Sequence, residues 1–353
     1  MENKFLKWLL CAAIVVGILI IGYFIFMTIT DYKPEKILEI KIENNKEEQA
    51  KLNSPMTVMT YNIGYCGMDK DVDFFMDGGK ESRSLSKEKT IENLKESFKI
   101  IEKEDPTFIF LQEVDKKATR SYKIDQYDYF TNNLNGYSSS FAINYKVPWV
   151  PVPIKKPHGN VLAGLANFSR LAVDKSTRYD LPGKESWPRQ LADLDRCILA
   201  NRIPVENGKE LILINLHLSA YDKGGKIRKQ QLDFLSSFLQ EEYKKGNYIV
   251  AGGDFNHQIP GSESSTFEAT EEFPDWIQTI PKNFKPEGFN WYFDKENPTA
   301  RSVAKPYKKG ENFRTIIDGF LASDNVEVIS TKTKDLDFTY SDHNPVILNF
   351  KLK

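Results

Sequence analysis

Eight short apolar segments spread along the chain constrain its fold more than any other feature. Several of them are continuously apolar instead of alternating, which is typical of strands that are covered on both faces. The eight segments are 56–62, 107–113, 164–169, 196–205, 210–218, 248–254, 315–323 and 344–352. Together with few helical segments, they predict an α/β domain in which two sheets pack face to face and the helices lie outside.

Two helices are predicted between these strands. The first begins after Ser86, a suitable N-cap, and ends at Glu104, with apolar side chains recurring every three or four residues. The second covers about 226–245. Gly246 follows it at the position where a left-handed residue commonly ends a helix. Each helix therefore has one apolar face that can cover a sheet.

The N-terminal segment 8–30 contains 23 residues and no charge. As a helix rising about 1.5 Å per residue, it can cross a hydrocarbon core of about 30 Å. A cleaved signal peptide is the alternative, but the segment is longer than a typical signal core and no small-residue cleavage site follows it. Lys4 and Lys7 precede it, whereas its other flank is balanced in charge. We therefore expect a single-pass cell-membrane protein with a cytoplasmic N-terminus and an extracellular domain.

The chain divides into three parts. Residues 1–30 are predicted to form the cytoplasmic tip and anchor, 31–55 a polar linker with some potential for an edge strand, and 56–353 one domain without a break or an internal repeat. The net charge of −1 gives no global attraction to nucleic acid. Outside the anchor, only Cys66 and Cys197 are available, so at most one disulfide is open to the domain.

Polar side chains stand at the ends of the apolar segments. Four segments carry them at the C-terminal end, whereas the last one carries them at its start. These residues are Asn62, Glu113, His217, Asp254 with Asn256 two positions later, Asp318 inside its segment, and Asp342 with His343. If the last strand is antiparallel to its neighbours, all of these groups meet at one edge of the sheets. Each residue alone has an ordinary structural explanation, but the ordered set is specific.

These residue types favour metal-assisted hydrolysis of a phosphoester. The Glu113 carboxylate and nearby amide oxygens are hard donors that suit Mg²⁺ or Mn²⁺. Asp254 is a candidate base for water, and a protonated His343 can stabilise charge on phosphoryl oxygens if an acid such as Asp318 raises its pKa. The chain has no P-loop, no G-x-S-x-G motif and no context for a cysteine nucleophile. Direct attack of water on phosphorus is therefore the predicted chemistry.

Six motifs occur in the order found in the endonuclease/exonuclease/phosphatase superfamily, which has the deoxyribonuclease-I-like fold. They are TYNIG, LQEVD, INLHL, GGDFNH, IDGFL and SDHNPV. The whole domain, 56–353, resembles this superfamily, whose members include nucleases, sphingomyelinases and inositol polyphosphate phosphatases. The resemblance implies a four-layer α/β/β/α sandwich of two mixed, mainly antiparallel sheets, and the activity of a phosphoester hydrolase.

The resemblance also implies a role for each matched residue. Glu113 is similar to the metal-binding glutamate of the superfamily, Asn62 to the asparagine that supports the metal, and Asp342 to an acid near it. Asp254 resembles the aspartate that activates the attacking water, and Asn256 the asparagine that contacts the phosphate. The implied cofactor is Mg²⁺ or Mn²⁺.

The two histidines complete the implied site. His343 resembles the histidine that stabilises the pentacoordinate phosphorus, and Asp318 the acid that orients it. His217 resembles the histidine that contacts the phosphate or assists the leaving group. Gly319 departs from the pattern, because many members have an aromatic residue there, and this change leaves room for a locally wider site.

The shared catalytic core does not select a substrate, because specificity lies in the loops. We expect a phosphodiester, with extracellular nucleic acid first, a membrane phospholipid such as sphingomyelin second because the anchor holds the site near a bilayer, and phosphomonoesters third. Arg189, Arg196 and Arg301 are weak candidates for phosphate contacts, and solvated loops explain them equally well. A non-catalytic binding protein is disfavoured because the set of acids and histidines is intact. No protein partner is predicted.

Overall fold

The computed structural model describes residues 2–220, 222, 224–274, 277–281 and 284–353. The described helices are α1 (Glu2–Ile29), α2 (Lys87–Glu104), α3 (Gln126–Asn133) and α4 (Lys226–Lys244). The described strands are β1 (Ile37–Ile40), β2 (Met56–Asn62), β3 (Phe108–Asp115), β4 (Ser138–Val150), β5 (Gly159–Ser169), β6 (Lys175–Asp180), β7 (Cys197–Pro204), β8 (Glu210–His217), β9 (Tyr248–Asp254), β10 (Phe289–Tyr292), β11 (Ala300–Arg301), β12 (Arg314–Thr315), β13 (Asp318–Ser323), β14 (Val326–Thr333) and β15 (Val346–Leu352). Within 257–314, the four positions 275, 276, 282 and 283 lie outside the described residues.

Two large sheets form the centre of the domain. One has seven strands in the order β1-β6-β7-β8-β9-β13-β10, and the other has six in the order β14-β15-β2-β3-β5-β4. Strands β2 and β3 pair in parallel, as do β8 and β9, whereas β15 pairs antiparallel with β2 and β13 antiparallel with β9. The predicted mixed, mainly antiparallel sheets are therefore confirmed.

Alternation along each strand explains the continuously apolar segments. In β2, Val58 packs between the two sheets, whereas its neighbour Met59 faces the helices. In β3, Phe108 lies between the sheets and Ile109 faces the helices. Successive side chains of a strand point to opposite faces, so a strand covered on both sides must be apolar at every position.

The helices form the two outer layers and confirm the α/β/β/α order. Helices α2 and α3 pack on the six-stranded sheet, and α4 packs on the seven-stranded sheet through Leu232, Leu235 and Leu239. Ser86 caps α2 as predicted, since its hydroxyl accepts a hydrogen bond from the backbone N–H of Lys89 at 3.1 Å. The left-handed residue after α4 is Gly246, with φ of 82°. The sequence pattern did not predict α3, which has only eight residues.

The segment between α1 and the domain is more structured than a polar linker. Strand β1 pairs antiparallel with β6 at the edge of the seven-stranded sheet, so the expected edge strand is confirmed. Further along, Glu43 bridges to Ser139, and Ala50 to Val205. Backbone hydrogen bonds therefore tie this segment to both sheets. The three cysteines, all among the described residues, are free, so the disulfide left open by the sequence does not form.

Helix α1 is long and apolar enough to cross a membrane from Lys4 to Ile29, and a signal sequence near an N-terminus meets the same two criteria. Its C-terminal end contacts the domain. The Tyr23 hydroxyl donates a hydrogen bond to the backbone carbonyl of Trp149 at 3.1 Å. The Trp187 indole N–H donates to the Thr28 hydroxyl at 3.3 Å. The end of the helix is therefore packed against the domain.

A buried ion pair fastens α4 to its sheet. Arg202 of β7 donates to Glu242 of α4 at 2.6 and 3.2 Å, and Lys245 donates to the same carboxylate at 2.8 Å. Burial by itself raises the pKa of Glu242, but the hydrogen bonds from Arg202 and Lys245 outweigh this effect and lower it to about 2. The ionised carboxylate is therefore the form that the folded protein prefers.

We expect Glu242→Gln to lower the free energy of unfolding by about 2 kcal/mol at neutral pH, because hydrogen bonds to a buried charge are lost. A glutamate in the unfolded chain has a pKa of about 4.3. The advantage of wild type should thus be complete above that pH and shrink as the pH falls toward 2. Urea unfolding of the full chain in detergent at several pH values measures this difference. Glu327→Gln, which removes an exposed pair with Lys351, should change stability little at any pH.

Candidate active site

The ends of strands from both sheets place the predicted polar residues together. Parallel pairing of β8 and β9 sets His217 directly opposite Asp254. Antiparallel pairing of β9 and β13 sets Asp318 on the other side of the same Asp254. Residues Asn62 and Glu113 come from the adjacent ends of β2 and β3 in the second sheet. The expected meeting point at one edge of the sheets is therefore present.

The carboxylate of Asp254 is the centre of this cluster. One of its oxygens, Oδ2, accepts a hydrogen bond from Asn62 Nδ2 at 3.1 Å and lies 3.4 Å from Nε2 of His217 and 3.7 Å from Nε2 of His343. The other, Oδ1, accepts the backbone N–H of Asn256 at 2.8 Å. Burial raises the pKa of Asp254, and the charge of His343 offsets only part of that rise.

Close contacts with neighbouring atoms explain why glycine occupies both positions before Asp254. A Cβ at Gly252 would lie 2.3 Å from the Phe320 ring, and one at Gly253 would lie 2.0 Å from the carbonyl oxygen of Leu216. The φ of Gly253 is 144°, which side-chain-bearing residues rarely adopt. The GGD sequence therefore allows β9 to press against its neighbouring strands and brings Asp254 close to the facing sheet.

His343 is held as a cation by two acids. Its Nδ1 lies 2.8 Å from Oδ2 of Asp318, and its Nε2 faces Asp254. Burial lowers the pKa of His343, but Asp318 and Asp254 outweigh it and hold the pKa well above its usual range. An Nδ1–H donated to Asp318 leaves Nε2–H directed at Asp254 and the adjoining cavity. The geometry agrees with the orienting role expected for Asp318.

His217, in contrast to His343, is neutral. Burial, with the positive charges of Arg196 and His343, lowers its pKa well below the usual range, so the imidazole is neutral. Its Nε2 faces Asp254, and its buried Nδ1 has no hydrogen-bond partner among the described residues. The site therefore contains one charged and one neutral histidine around a single carboxylate.

Glu113 occupies a distorted position of β3. The pairing with β5 shifts between Leu111 and Val114, and Glu113 has a φ of 54°. This bulge turns the carboxylate out of the sheet, where its side chain remains 26% exposed. Burial raises the pKa of Glu113, the guanidinium of Arg120 lowers it, and the charge of Asp342 raises it. The negative charges of Glu113 and Asp342 thus repel each other beside the cavity. This pair of acids is suited to binding a cation.

Arg120 is a part of the site that the sequence analysis missed. Its guanidinium lies 3.7 Å from the Glu113 carboxylate, forms hydrogen bonds of 2.9 to 3.3 Å with Asp115, and covers the Tyr65 ring at 4.1 Å. It lies in the connection after β3, where the sequence has no pattern that distinguishes it from a solvated arginine. Its position supports Glu113 from behind.

Two groups of residues could hold a metal ion. Ligand atoms of Asp254, Asp318 and His343 all lie within 4.8 Å of one another. In that group, however, Asp318 and Asp254 hold the pKa of His343 well above its usual range, which favours the charged imidazole, and a charged imidazole has no lone pair for a metal. The Glu113 side offers oxygen donors open to the cavity, which fits Mg²⁺ or Mn²⁺.

Asn62 joins the two groups without ligating. Its Oδ1 accepts the backbone N–H of Gly64 at 3.0 Å, so its NH₂ is directed at Asp254 and at Glu113, at 3.1 and 3.4 Å. The side chain therefore orients both carboxylates. Nearby, the Ser341 hydroxyl donates to the Asn62 carbonyl at 2.8 Å, which brings the segment with Asp342 next to β2.

The cluster lies at one side of a cavity of about 360 Å³. Its lining includes Glu113, Asp254, Asp342, His217 and His343 of the cluster, together with five further acidic or imidazole residues, Asp77, His158, Glu185, Asp193 and Asp222. The rest of the lining includes a large apolar wall. The wall contains Met68, Phe74, Phe75, Met76, Val303, Tyr145, Val150, Val152 and Leu194. The segment 66–85 thus contributes to the cavity.

The three loop arginines occupy different places. Arg196 lines the cavity and donates to the carbonyl of His217 at 3.4 Å. Arg301 also lines it, but its guanidinium donates to the carbonyls of Asp69 and Val72 at 2.8 and 3.1 Å and thereby fixes the neighbouring loop. Arg189 is exposed outside the cavity lining.

Gly319 does not widen the site. A Cβ placed there would lie 2.7 Å from Ile259 and 3.3 Å from Phe293. The space beside the glycine is therefore filled by side chains of this chain. The local widening that the sequence allowed is absent at this described position.

The fold is that of endonuclease/exonuclease/phosphatase proteins, as the sequence motifs suggested. A protein of this name from Beutenbergia cavernae superimposes with a TM-score of 0.55 at 17% identity, over 84% of this chain and 72% of that one. D. rerio TDP2 in complex with a single-stranded DNA product superimposes with a TM-score of 0.53 at 14% identity, over 85% of this chain and all of that one. No protein-family model matches the sequence.

Among curated proteins, the chain is similar to an inositol phosphosphingolipids phospholipase C from Schizosaccharomyces pombe. The identity is 26% over 138 residues. This segment is 35% of the chain and spans about a third, 32%, of that relative. The similarity is thus local, while the likeness of fold extends over most of the chain.

We expect Glu113→Gln to weaken Mn²⁺ binding by about tenfold or more, because it removes a charged oxygen ligand. Asp318→Asn should leave Mn²⁺ affinity nearly unchanged, since Asp318 pairs with His343. Isothermal titration of the full chain in detergent compares the two variants. The reverse order of affinities would place the ion in the group of Asp254, Asp318 and His343.

Proposed function

We propose that the protein is a metal-dependent phosphoester hydrolase that acts on phosphodiesters. The observation that carries this proposal is the convergence of Asn62, His217 and His343 on one oxygen of Asp254, within 3.1 to 3.7 Å, at the side of a cavity. A buried acid with a raised pKa between a neutral and a charged imidazole is suited to moving protons near neutral pH. The fold it shares with endonuclease/exonuclease/phosphatase proteins supports the same class of reaction.

In this reaction, ionised Asp254 accepts a proton from a water molecule as the water oxygen forms a bond to phosphorus. The bond from phosphorus to the leaving oxygen breaks on the opposite side. His343, charged and oriented by Asp318, donates Nε2–H to the phosphoryl oxygens on which negative charge accumulates. Neutral His217 lies where it can contact the phosphate or the leaving oxygen. Asn62 holds the base in place.

Glu113 and Asp342 are the residues that would hold the cation, with Arg120 positioning Glu113 from behind. When bound there, Mg²⁺ or Mn²⁺ supplies positive charge that neutralises the phosphoryl oxygens. Asn256 donates its side-chain N–H₂ to the carbonyl of Leu218 at 2.7 Å, so its amide is fixed beside the base. Its predicted contact with phosphate remains part of this proposal.

Two substrate classes are consistent with this chemistry. One structural neighbour was solved with single-stranded DNA product, and the partial relative is named for phosphosphingolipids. Both are phosphodiesters, so the reaction at phosphorus is the same for either. The surroundings of the cavity must therefore distinguish them.

Asp254→Asn should lower kcat on a water-soluble phosphodiester, bis-p-nitrophenyl phosphate, by about 10² to 10⁴-fold, because it removes the base. The measurement uses the purified full chain in detergent with Mg²⁺, and EDTA should abolish the wild-type rate. Asp324→Asn, a substitution at an exposed hydrogen-bonding acid, is the matched control and should keep full activity. Equal rates for wild type and Asp254→Asn would refute the proposal.

A further inference from the structure

Four exposed apolar side chains lie at the contacts between α1 and the domain or a few residues along the chain from them. They are Trp149, Val152, Ile154 and Trp187, and we call them the apolar rim. Ile154 is 90% exposed and Trp187 57%. Two of the four are tryptophans, the residue type enriched where proteins meet the surface of a bilayer. The rim therefore needs an occupant that covers apolar side chains.

Contacts of α1 fix the depth of the rim. Tyr23 is hydrogen-bonded to the backbone of Trp149, and Thr28 to the indole of Trp187. A helical segment of about 20 residues, rising about 1.5 Å per residue, crosses the hydrocarbon core. Counted from Trp8, such a segment ends near Met27, so Tyr23 lies within about 6 Å of that end. The rim, held beside these residues, is at the level of the membrane surface.

The cavity lies directly behind the same contacts. Met27 is buried in a cluster with Tyr145 and Val150, and both of these side chains also line the cavity. Val152 belongs both to the rim and to the cavity lining. A single layer of side chains thus separates the end of the helix from the cavity, and the apolar wall continues into the rim.

We propose that the apolar rim docks into the surface of the bilayer that α1 spans, and that the substrate is a phospholipid of that bilayer. The phosphodiester lies at Asp254, and the adjoining apolar part of the lipid lies against the wall of Phe74, Phe75 and Val150. The choice of substrate rests on the proposed function, whereas the docking does not. Nucleic acid is less suited to this cavity because much of the lining is apolar, whereas Arg120, Arg196 and Arg301 all donate to protein acceptors.

The docking is tested by spin labels on the full chain reconstituted in phosphatidylcholine vesicles. Ile154→Cys places a label on the rim, and Ile329→Cys places one on β14, at the opposite edge of the sheet that contains β4. Both variants also carry Cys11→Ser, because Cys11 is exposed and would take up the label. Cys66 and Cys197 are buried and can stay. The label at 154 should be accessible to oxygen and shielded from a water-soluble nickel complex, and the label at 329 should show the reverse. Equal access of nickel to both labels would overturn the docking.

The substrate is tested by Ile154→Ser against Ile329→Ser. The full chain in vesicles is assayed for release of phosphocholine from sphingomyelin, and separately on bis-p-nitrophenyl phosphate and single-stranded DNA. We expect Ile154→Ser to lower lipid hydrolysis by about tenfold, because the burial of one large apolar side chain in the bilayer is lost. The rate on the soluble phosphodiester should not change. Ile329→Ser should match wild type in every assay.

The outcomes separate the two proposals. Cleavage of the soluble phosphodiester or of DNA, but not of lipid, would overturn the lipid substrate and leave the hydrolase standing. Equal lipid hydrolysis by Ile154→Ser and wild type would refute the role of the rim in substrate access. Wild type inactive on all three substrates would refute the proposed function, and the spin labels would still decide whether the rim docks.

Discussion

The buried carboxylate of Asp254 is the interaction on which the arrangement of the site depends. A charged group taken out of water is unfavourable unless charged or hydrogen-bonding partners compensate it. Its partners come from both sheets: Asn62 from one, His217 from the other, and His343 from the segment just before β15. The carboxylate can therefore be stabilised only when the two sheets are packed in register.

Strand periodicity explains how much of this site the sequence could predict. Polar residues at the ends of apolar segments must meet when parallel strands share an edge, which places Asp254 beside His217 without knowledge of the fold. Antiparallel pairing of β13 with β9 places Asp318 opposite Asp254, and His343 reaches Asp318 from the segment before β15 of the other sheet. What the sequence could not supply is the φ of Glu113, because a bulge depends on its pairing with β5. Arg120 was missed for a similar reason, since its partners Asp115 and Tyr65 are fixed only after β3 and its loops have formed.

The elements missed from the sequence share a physical property. Helix α3 has two turns and gains its place from packing against the six-stranded sheet, so its local pattern is weak. Strand β4 is the long edge of that sheet, and it mixes polar and apolar residues although most of them are buried, Ser138 and Ser140 among them. Edge elements depend more on their neighbours than on their own hydrophobic pattern. The central strands, covered on both faces, were for the same reason the easiest to predict.

The attachment of α1 to the domain limits how the two can move relative to each other. A flexible tether would place the cavity anywhere within reach of its length and would leave its orientation random. Here β1 pairs with β6, Glu43 bridges to Ser139, and Tyr23 is bonded to the segment that lines the cavity. The distance and the angle between helix and cavity are therefore set by hydrogen bonds. Under the proposed function, with α1 in a bilayer, this fixed geometry keeps the cavity in one orientation toward the bilayer, and that orientation would select which phosphodiesters reach Asp254.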